Sequence, residues 1–130
     1  MTYLKLSGIK LGLLINFNSK TLKVHKGPEF DRLSISEKEN LFSQEFTISK
    51  ENNRMAYQLS EAVQNNLTPI ITSLVLPGTV QLTPSGKLII LMRDCQTTGG
   101  YPRVLQLNDK AINILSQKFT NDKIRFTLID

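Results

Sequence analysis

The densest group of polar side chains lies in one segment, Asp94–Pro102, which reads DCQTTGGYP. The Asp94 carboxylate is a natural general base, or a group that orients a polar ligand. The two adjacent glycines let backbone N–H groups point at an anion or a carbonyl oxygen, and the neighbouring hydroxyl and amide side chains can orient that ligand. A tight turn in which Asp94 caps backbone amides is the structural alternative. We therefore predict a site with Asp94 as the catalytic residue and the substrate-binding residues Gln96, Thr97, Thr98, Gly99, Gly100 and Tyr101.

Arg54 is a second candidate for ligand binding. It follows the turn signal Asn52-Asn53 and stands at the start of a predicted strand. A guanidinium can clamp a carboxylate or a phosphate through two parallel hydrogen bonds. We predict a substrate-binding role for Arg54, with a solvated charge at a strand end as the alternative.

The chain has one cysteine, Cys95, and one histidine, His25. A single cysteine excludes an internal disulfide and a multi-cysteine zinc site, and a single histidine excludes a metal site built on paired histidines. No metal is predicted. Because the chain has no second histidine and none lies near Cys95 in the sequence, an inert thiol is favoured over a nucleophile, and a structural role is favoured for His25.

The hydrophobic pattern predicts mostly short strands around these candidates. Turn signals follow one another at short intervals, which favours a closed or nearly closed β-barrel with helices at its ends over alternating strands and helices. Met55, Tyr57 and Leu59 are expected to share one face of a strand. The predicted strands are 22–25, 46–48, 54–59, 70–75, 80–82, 87–92 and 122–128.

Two short helices complete the prediction. Ser36 and Glu39 have the spacing of a capping box for the first, which should end near Phe42. Asn108 should cap the second, with Ile112 on its inward face. The predicted fold class is therefore mainly β, a β-barrel with two short helices, preceded by a short helix and strand at the N-terminus.

The charge distribution bears on the class of partner. The net charge of the 130 residues is +5, and residues 1–26 hold five lysines and no acid. Those lysines are scattered over apolar segments without interleaved exposed aromatic residues, so a solvated face is favoured over a nucleic-acid footprint. We predict no nucleic-acid partner; binding through residues 1–26 would instead depend steeply on salt.

No segment has the pattern of a membrane span or a secretory signal. The longest apolar stretch, Leu11–Ile15, is interrupted by Gly12 and falls far short of the roughly 20 residues that a span needs. No apolar core with a small-residue cleavage site follows the N-terminus. We predict a cytoplasmic protein without a membrane partner.

Four motifs in order along the chain resemble the biotin-dependent carboxyltransferase family. That family includes KipA, which is the C subunit of the bacterial ATP-dependent 5-oxoprolinase and was formerly called allophanate hydrolase subunit 2. The most specific motif is the Gln-Thr-Thr-Gly-Gly-Tyr-Pro string that begins at Gln96. The resemblance covers residues 22–130 and the C-terminal half of family members. The four motifs are Gly27–Glu29, Asn53–Leu59, Pro77–Gln81 and Gly86–Pro102.

The resemblance implies a cyclophilin-like barrel and a KipI-like partner, the B subunit of 5-oxoprolinase. With that partner the family member uses ATP to open 5-oxoproline, a lactam, to glutamate. The expected function is that of the C-terminal part of such an amide hydrolase subunit, which takes a small amide or lactam as substrate. ATP would be bound by the complex, because no ATP motif is recognisable in this chain. Two alternatives stay open: a non-catalytic module that binds and regulates the KipI-like partner, and biotin-dependent carboxyl transfer to a small amide.

The chain departs from the family pattern at three positions. Gln58 stands where many relatives have arginine, and Arg93 and Cys95 flank Asp94 where many have small residues. Residues 1–22 resemble the C-terminal end of another family, GxxExxY, which is similar to PD-(D/E)XK nucleases. That segment lacks the acidic residues a nuclease needs, so no nuclease function is expected. The predicted domains are thus a helix and strand remnant at 1–22 and a carboxyltransferase-family barrel at 23–130.

Overall fold

A computed structural model of the chain describes residues 20–129, and seven of its strands close a barrel. The strands are β1 (Thr21–Lys26), β2 (Phe46–Asn52), β3 (Ala56–Leu59), β4 (Ser73–Leu74), β5 (Thr79–Leu82), β6 (Leu88–Leu91), β7 (Thr98–Gly99), β8 (Arg103–Leu107) and β9 (Lys123–Leu128). Their order around the barrel is β1-β8-β5-β6-β3-β2-β9, and every neighbouring pair is antiparallel except β1 and β9. The prediction of a mainly β barrel with two short helices is confirmed.

Alternating side chains explain the barrel strands. In β1, Leu22 and Val24 are buried while Lys23 between them is exposed. Because successive side chains on a strand point to opposite faces, one apolar face per strand is enough to fill the interior. The rings of Phe46 and Phe126 meet there with their centroids 5.6 Å apart. The core is therefore the inside of the barrel.

The hairpin of β5 and β6 fixes the register of β6, which also pairs with β3 beside the candidate site. Val80 lies opposite Ile90, and Ala56 of β3 lies opposite Leu91 on the other side of β6. Gly86 forms the turn with a φ of +95°, in the left-handed region that glycine adopts without strain. The predicted strands 80–82 and 87–92 are therefore found, with the turn between them.

Two α-helices and a short 3₁₀ helix (Phe30–Arg32) lie outside the barrel strands: α1 (Ile35–Ser43) and α2 (Asp109–Ser116). The predicted cap of α2 is confirmed, because the Asn108 side chain accepts a hydrogen bond from the amide of Ala111 (2.9 Å). The capping box predicted at Ser36 and Glu39 is wrong. It is formed two residues earlier by Ser34 and Glu37, where each side chain bonds the other's backbone amide.

A two-stranded sheet of β4 and β7 lies apart from the barrel ladder. We call this sheet with its flanking residues, 70–76 and 97–101, the outer sheet. The prediction of one apolar strand over 70–75 is wrong in extent, since only Ser73–Leu74 is strand and Ile71 and Leu74 are exposed. Met55, predicted to share a strand face with Tyr57, precedes β3 and is exposed, while Tyr57 is buried.

The helix and strand predicted at the N-terminus lie outside the described residues. The boundary predicted at residue 22 therefore stays a prediction, although β1 begins at Thr21. Within 20–129, neither helix has the length and apolar character to cross a membrane.

Candidate functional site

A cleft of about 370 Å³ opens where β6 ends and β3 begins, with α2 as its far wall. Its floor is apolar and buried, made by Tyr57, Met92 and Ile112. Burial raises the pKa of the Tyr57 phenol above its ordinary value of 10. Such an apolar floor with few polar groups at the mouth is typical of a small-molecule site. The mouth is lined by Asn53, Arg54, Arg93, Asp94 and Ser116.

Backbone pairing brings Arg54 and Asp94 together at this mouth. The ladder of β3 and β6 continues past the strand ends, because Met92 donates its amide to the carbonyl of Met55 (2.9 Å) and Asp94 donates to that of Arg54 (3.1 Å). Asn53 fixes the turn before β3, since its side-chain oxygen accepts from the amide of Met55 (2.8 Å). Two predicted site residues 40 positions apart therefore lie opposite each other for a structural reason.

The two side chains form an ion pair, with Arg54 Nε 3.0 Å from Asp94 Oδ2. Their side chains are 89% and 50% exposed. An ion pair so open to water contributes little to stability. Breaking the pair to contact a charged or polar ligand therefore costs little free energy. The two side chains place one cation and one carboxylate within hydrogen-bond reach of the same ligand.

Arg93 supplies a second guanidinium to the mouth, held by α2. Its Nη2 donates to Asn113 Oδ1 (2.9 Å), and its Nη1 lies 3.6 Å from Asp109 Oδ1. In the sequence, Arg93 stood out only as a departure from the family pattern. Its link to α2 had no local signal because the contact joins residues 20 positions apart.

The other predicted substrate-binding residues lie elsewhere, in the outer sheet or leading into it. None of Gln96 to Tyr101 is among the residues that line the cleft. Backbone bonds join this segment to 70–76: Val75 donates its amide to the carbonyl of Thr97 (3.1 Å), and Ile70 donates to that of Gly100 (2.9 Å). The structure thus brings Asp94 and Arg54 together and places Gln96, Thr97, Thr98, Gly99, Gly100 and Tyr101 on a neighbouring surface.

Gly99 packs directly on the side chain of Gln81, which is 2% exposed on β5. A Cβ on Gly99 would overlap Gln81 Nε2. That nitrogen is buried, and it has no hydrogen-bond partner within the described part of the chain. The glycine is therefore required by close packing against the barrel, which gives it a structural reason independent of ligand binding.

Replacing Gly99 with alanine is expected to lower the free energy of unfolding by about 1–2 kcal/mol, because the added methyl must displace the Gln81 amide. Gly100→Ala is the matched control, since its Cβ would meet only the carbonyl of Ile70 at an ordinary 3.7 Å. Chemical denaturation of both variants measures the difference. Equal stability of the two variants would contradict the packing role of Gly99.

The Cys95 thiol is half-buried beside the cleft. Burial raises its pKa, and the neighbouring Asp94 carboxylate adds to the rise. Because the thiolate is the reactive form, these surroundings disfavour a nucleophilic cysteine. Among the residues from 20 to 129, no three histidine, cysteine or acidic side chains are grouped as a metal site would require.

A family model described as "Carboxyltransferase domain, subdomain A and B" matches residues 10–128. The chain is 31% identical over 102 residues to the C subunit of 5-oxoprolinase from Escherichia coli (strain K12), a match that covers 77% of the chain and 33% of that protein. It is 33% identical over 87 residues to the protein of the same name from Haemophilus influenzae, covering 65% and 28%. The chain thus spans about a third of the length of these curated relatives.

The structure superposes on Kluyveromyces lactis urea carboxylase with a TM-score of 0.78 at 15% identity, over 87% of this chain and 11% of that one. At this identity the likeness concerns the fold alone. The family model covers most of the chain, so the family drawn from the four motifs is confirmed. The chain belongs to the family described as carboxyltransferase domain, subdomains A and B, which is the biotin-dependent carboxyltransferase family, and it corresponds to part of the length of its curated members.

Proposed function

We propose that this chain is part of the C subunit of an ATP-dependent 5-oxoprolinase and acts with a KipI-like B subunit. The names of the two curated relatives support the 5-oxoprolinase assignment. The observation that carries the site is the Arg54–Asp94 pair at the mouth of an apolar-floored cleft. The net reaction adds water across the lactam C–N bond of 5-oxoproline and gives glutamate, with ATP used by the complex.

The cleft suits the functional groups of 5-oxoproline, which carries a carboxylate, a lactam N–H and a lactam carbonyl on a small apolar ring. Arg54 would leave Asp94 and bind the substrate carboxylate, because a guanidinium matches a carboxylate in shape and charge. Asp94, once released, would accept the lactam N–H and orient or deprotonate it. The ring would lie on Tyr57, Met92 and Ile112, from which water is excluded.

In this proposal the segment after Asp94 binds the lactam oxygen. The side chains of Gln96, Thr97 and Thr98 and the amides of Gly99 and Gly100 are the donors suited to an oxygen that gains negative charge during the reaction. Tyr101 would flank them. Because this segment lies beside the cleft and not in it, the proposal requires the substrate to bridge the two surfaces or the segment to move toward Asp94.

A non-catalytic module that binds and regulates the KipI-like partner is the second candidate. The separation of Gln96–Tyr101 from the cleft favours it, since the predicted site residues do not form one site within residues 20–129. Turnover separates the two: glutamate formed from 5-oxoproline by the 130-residue chain with its partner and ATP supports catalysis. Co-purification with the partner but no turnover supports the module.

Arg54→Gln is expected to raise KM for 5-oxoproline about tenfold and to change kcat much less, because a charge-assisted hydrogen bond to a carboxylate contributes roughly 1.5–3 kcal/mol and an exposed one lies at the low end of that range. Steady-state kinetics of the complex measures both constants. Arg125→Gln, on the exposed face of β9, is the control. An unchanged KM would remove Arg54 from substrate binding.

A further inference from the structure

The mouth of the cleft carries more positive than negative charge. Among the residues of 20–129 that line it, Arg54 and Arg93 are cationic and Asp94 is the one acidic residue. The proposed function pairs Arg54 with the substrate carboxylate and Asp94 with the lactam N–H, so it gives Arg93 no role. A concave surface with a net positive charge attracts an anionic ligand. The second guanidinium therefore indicates a second anionic group on the ligand.

A tight turn places Arg93 beside Asp94 over the same cleft. The amide of Cys95 donates to the carbonyl of Met92 (3.1 Å). This bond closes a β-turn in which Arg93 and Asp94 are the two central residues. Adjacent side chains on a strand would point to opposite faces, but both of these line the cleft. Because the two residues are consecutive, their Cα atoms are about 3.8 Å apart, and both side chains can contact one small ligand.

Helix α2 holds the Arg93 side chain where a ligand can reach it. Asp109 and Asn113 are four residues apart on one face of α2, and the guanidinium lies against both. The 2.9 Å bond to Asn113 Oδ1 uses one of the five N–H donors of the guanidinium. Asp109 Oδ1 is 3.6 Å from Nη1, too far for a hydrogen bond, and the two side chains are 53% and 87% exposed. So open an ion pair contributes little, and a carboxylate ligand can compete with it.

We propose that Arg93 binds the carboxylate that forms when the lactam ring opens, so that the cleft binds a dicarboxylate more tightly than a monocarboxylate. The inference rests on the proposed function for the identity of the substrate. In the net step the oxygen of water bonds to the lactam carbonyl carbon, the C–N bond breaks, and the nitrogen takes a proton from the same water. The new carboxylic acid then passes its proton to the amine. Glutamate is left with two carboxylates and one ammonium group.

The three charged groups of glutamate match the three charged side chains at the cleft mouth. Arg54 would hold the carboxylate that 5-oxoproline already carries, and Asp94 would accept from the ammonium group. Arg93 would donate to the new carboxylate, at the oxygen that came from water. The other oxygen of that carboxylate is the former lactam oxygen, which the proposed function assigns to the segment after Asp94. The two assignments therefore concern different atoms.

An NMR titration of the 130-residue chain with glutamate and with glutamine tests the proposal, read at the Met92 methyl group on the cleft floor. The two amino acids have nearly the same shape, but glutamine has a neutral amide in place of the second carboxylate. Arg93→Ala removes the guanidinium. Arg125→Ala, on the exposed face of β9, is the matched control because it removes the same charge from a residue that does not line the cleft. 5-Oxoproline and inorganic phosphate are titrated in the same way.

We expect the wild-type chain and Arg125→Ala to bind glutamate about tenfold more tightly than glutamine, because a hydrogen bond between charged groups contributes at least that much. In Arg93→Ala the two amino acids should bind equally, and 5-oxoproline should lose less affinity than glutamate. A preference for glutamate that survives in Arg93→Ala would overturn the proposal. Tighter binding of phosphate than of glutamate would overturn it in favour of a phosphate site.

The same titrations separate this inference from the proposed function. Binding of 5-oxoproline without any preference for glutamate over glutamine would overturn the role of Arg93 and leave the 5-oxoproline site in place. A preference for glutamate that depends on Arg93, together with no binding of 5-oxoproline, would support Arg93 as the residue that selects a dicarboxylate and would contradict 5-oxoproline as the substrate.

Discussion

Replacing Asp94 with asparagine is expected to lower turnover of 5-oxoproline by at least about 100-fold, which is the lower range for loss of a positioned general base. The asparagine keeps the shape of the side chain and the backbone bond to Arg54, but it cannot take a proton. It also removes the ion-pair partner of Arg54, whose guanidinium stays available to the substrate carboxylate. KM should therefore change less than kcat. The measurement is glutamate formation by the chain with the proposed KipI-like partner and ATP.

The same substitution belongs in the longer relative, because the chain spans only a third of it. We expect the same loss when the residue of the Escherichia coli protein that aligns with Asp94 is replaced in the same way. Asp31→Asn in this chain is the control, since Asp31 is 86% exposed and its ion pair with Lys38 is long (4.0 Å). Unchanged turnover in the Asp94 variant would remove that residue from the mechanism.

Replacing Glu29 with glutamine is expected to lower the free energy of unfolding by about 3 kcal/mol, within the range for breaking a buried ion pair on one side. Glu29 Oε2 and Arg103 Nη2 are 2.8 Å apart, and the side chains are 9% and 18% exposed. Glu29 Oε1 also accepts from the backbone amide of Arg103 (2.8 Å). Because Arg103 in turn holds the carbonyl of Leu74, we expect faster amide exchange at Val75 in the same variant.

Glu45→Gln is the matched control, since its pair with Lys20 is long (3.7 Å) and exposed, and such pairs contribute roughly 0–1 kcal/mol.

The pH dependence of stability gives a second test of the Glu29 carboxylate. Hydrogen bonds from the Arg103 guanidinium hold the pKa of Glu29 below its ordinary value of 4.5, against the opposing effect of burial. The contribution of the Glu29 carboxylate to the free energy of unfolding is therefore fully present above about pH 4.5 and is lost as pH falls through the lower pKa of the folded state. A difference in stability between the wild-type chain and Glu29→Gln that stays the same in acid would contradict this role of the carboxylate.

Local patterns predicted much of the barrel. Alternation identified β1 and β9, and a turn signal between two apolar runs identified the hairpin of β5 and β6. Asn108 identified the start of α2, because a side-chain cap acts only three residues along the chain. These features depend on neighbours in sequence, and a single sequence contains that information.

The predictions were wrong where two sequence patterns fitted equally well, or where a contact distant in sequence determined the local structure. Ser34 and Ser36 each precede a glutamate by three residues, and the structure uses the earlier pair. The apolar run 70–75 matches a buried strand, yet Ile71 and Leu74 are exposed. The backbone there is held from a distance, because Arg103 donates to the carbonyl of Leu74 and Thr79 Oγ1 accepts from the amide of Leu76.

The candidate site was also only partly predictable from the sequence. Arg54 and Asp94 were chosen separately from their side-chain chemistry, and only the register of β3 with β6 places them 3.0 Å apart. The polar segment after Asp94 was recognisable by composition, but its pairing with residues 70–76 was not. The Glu29–Arg103 pair spans 74 positions and has no local signal.

The most direct test of the cleft as the substrate site is a methyl NMR titration of the 130-residue chain with 5-oxoproline. Met92 and Ile112 place methyl groups on the cleft floor, and Ile35, at the start of α1, places one outside both the cleft and the outer sheet. We expect saturable shifts at Met92 and Ile112 that weaken in Arg54→Gln, with the Ile35 methyl unmoved. Shifts at Ile35 with none at Met92 and Ile112, or no shift anywhere at saturating lactam, would contradict the cleft as the substrate site.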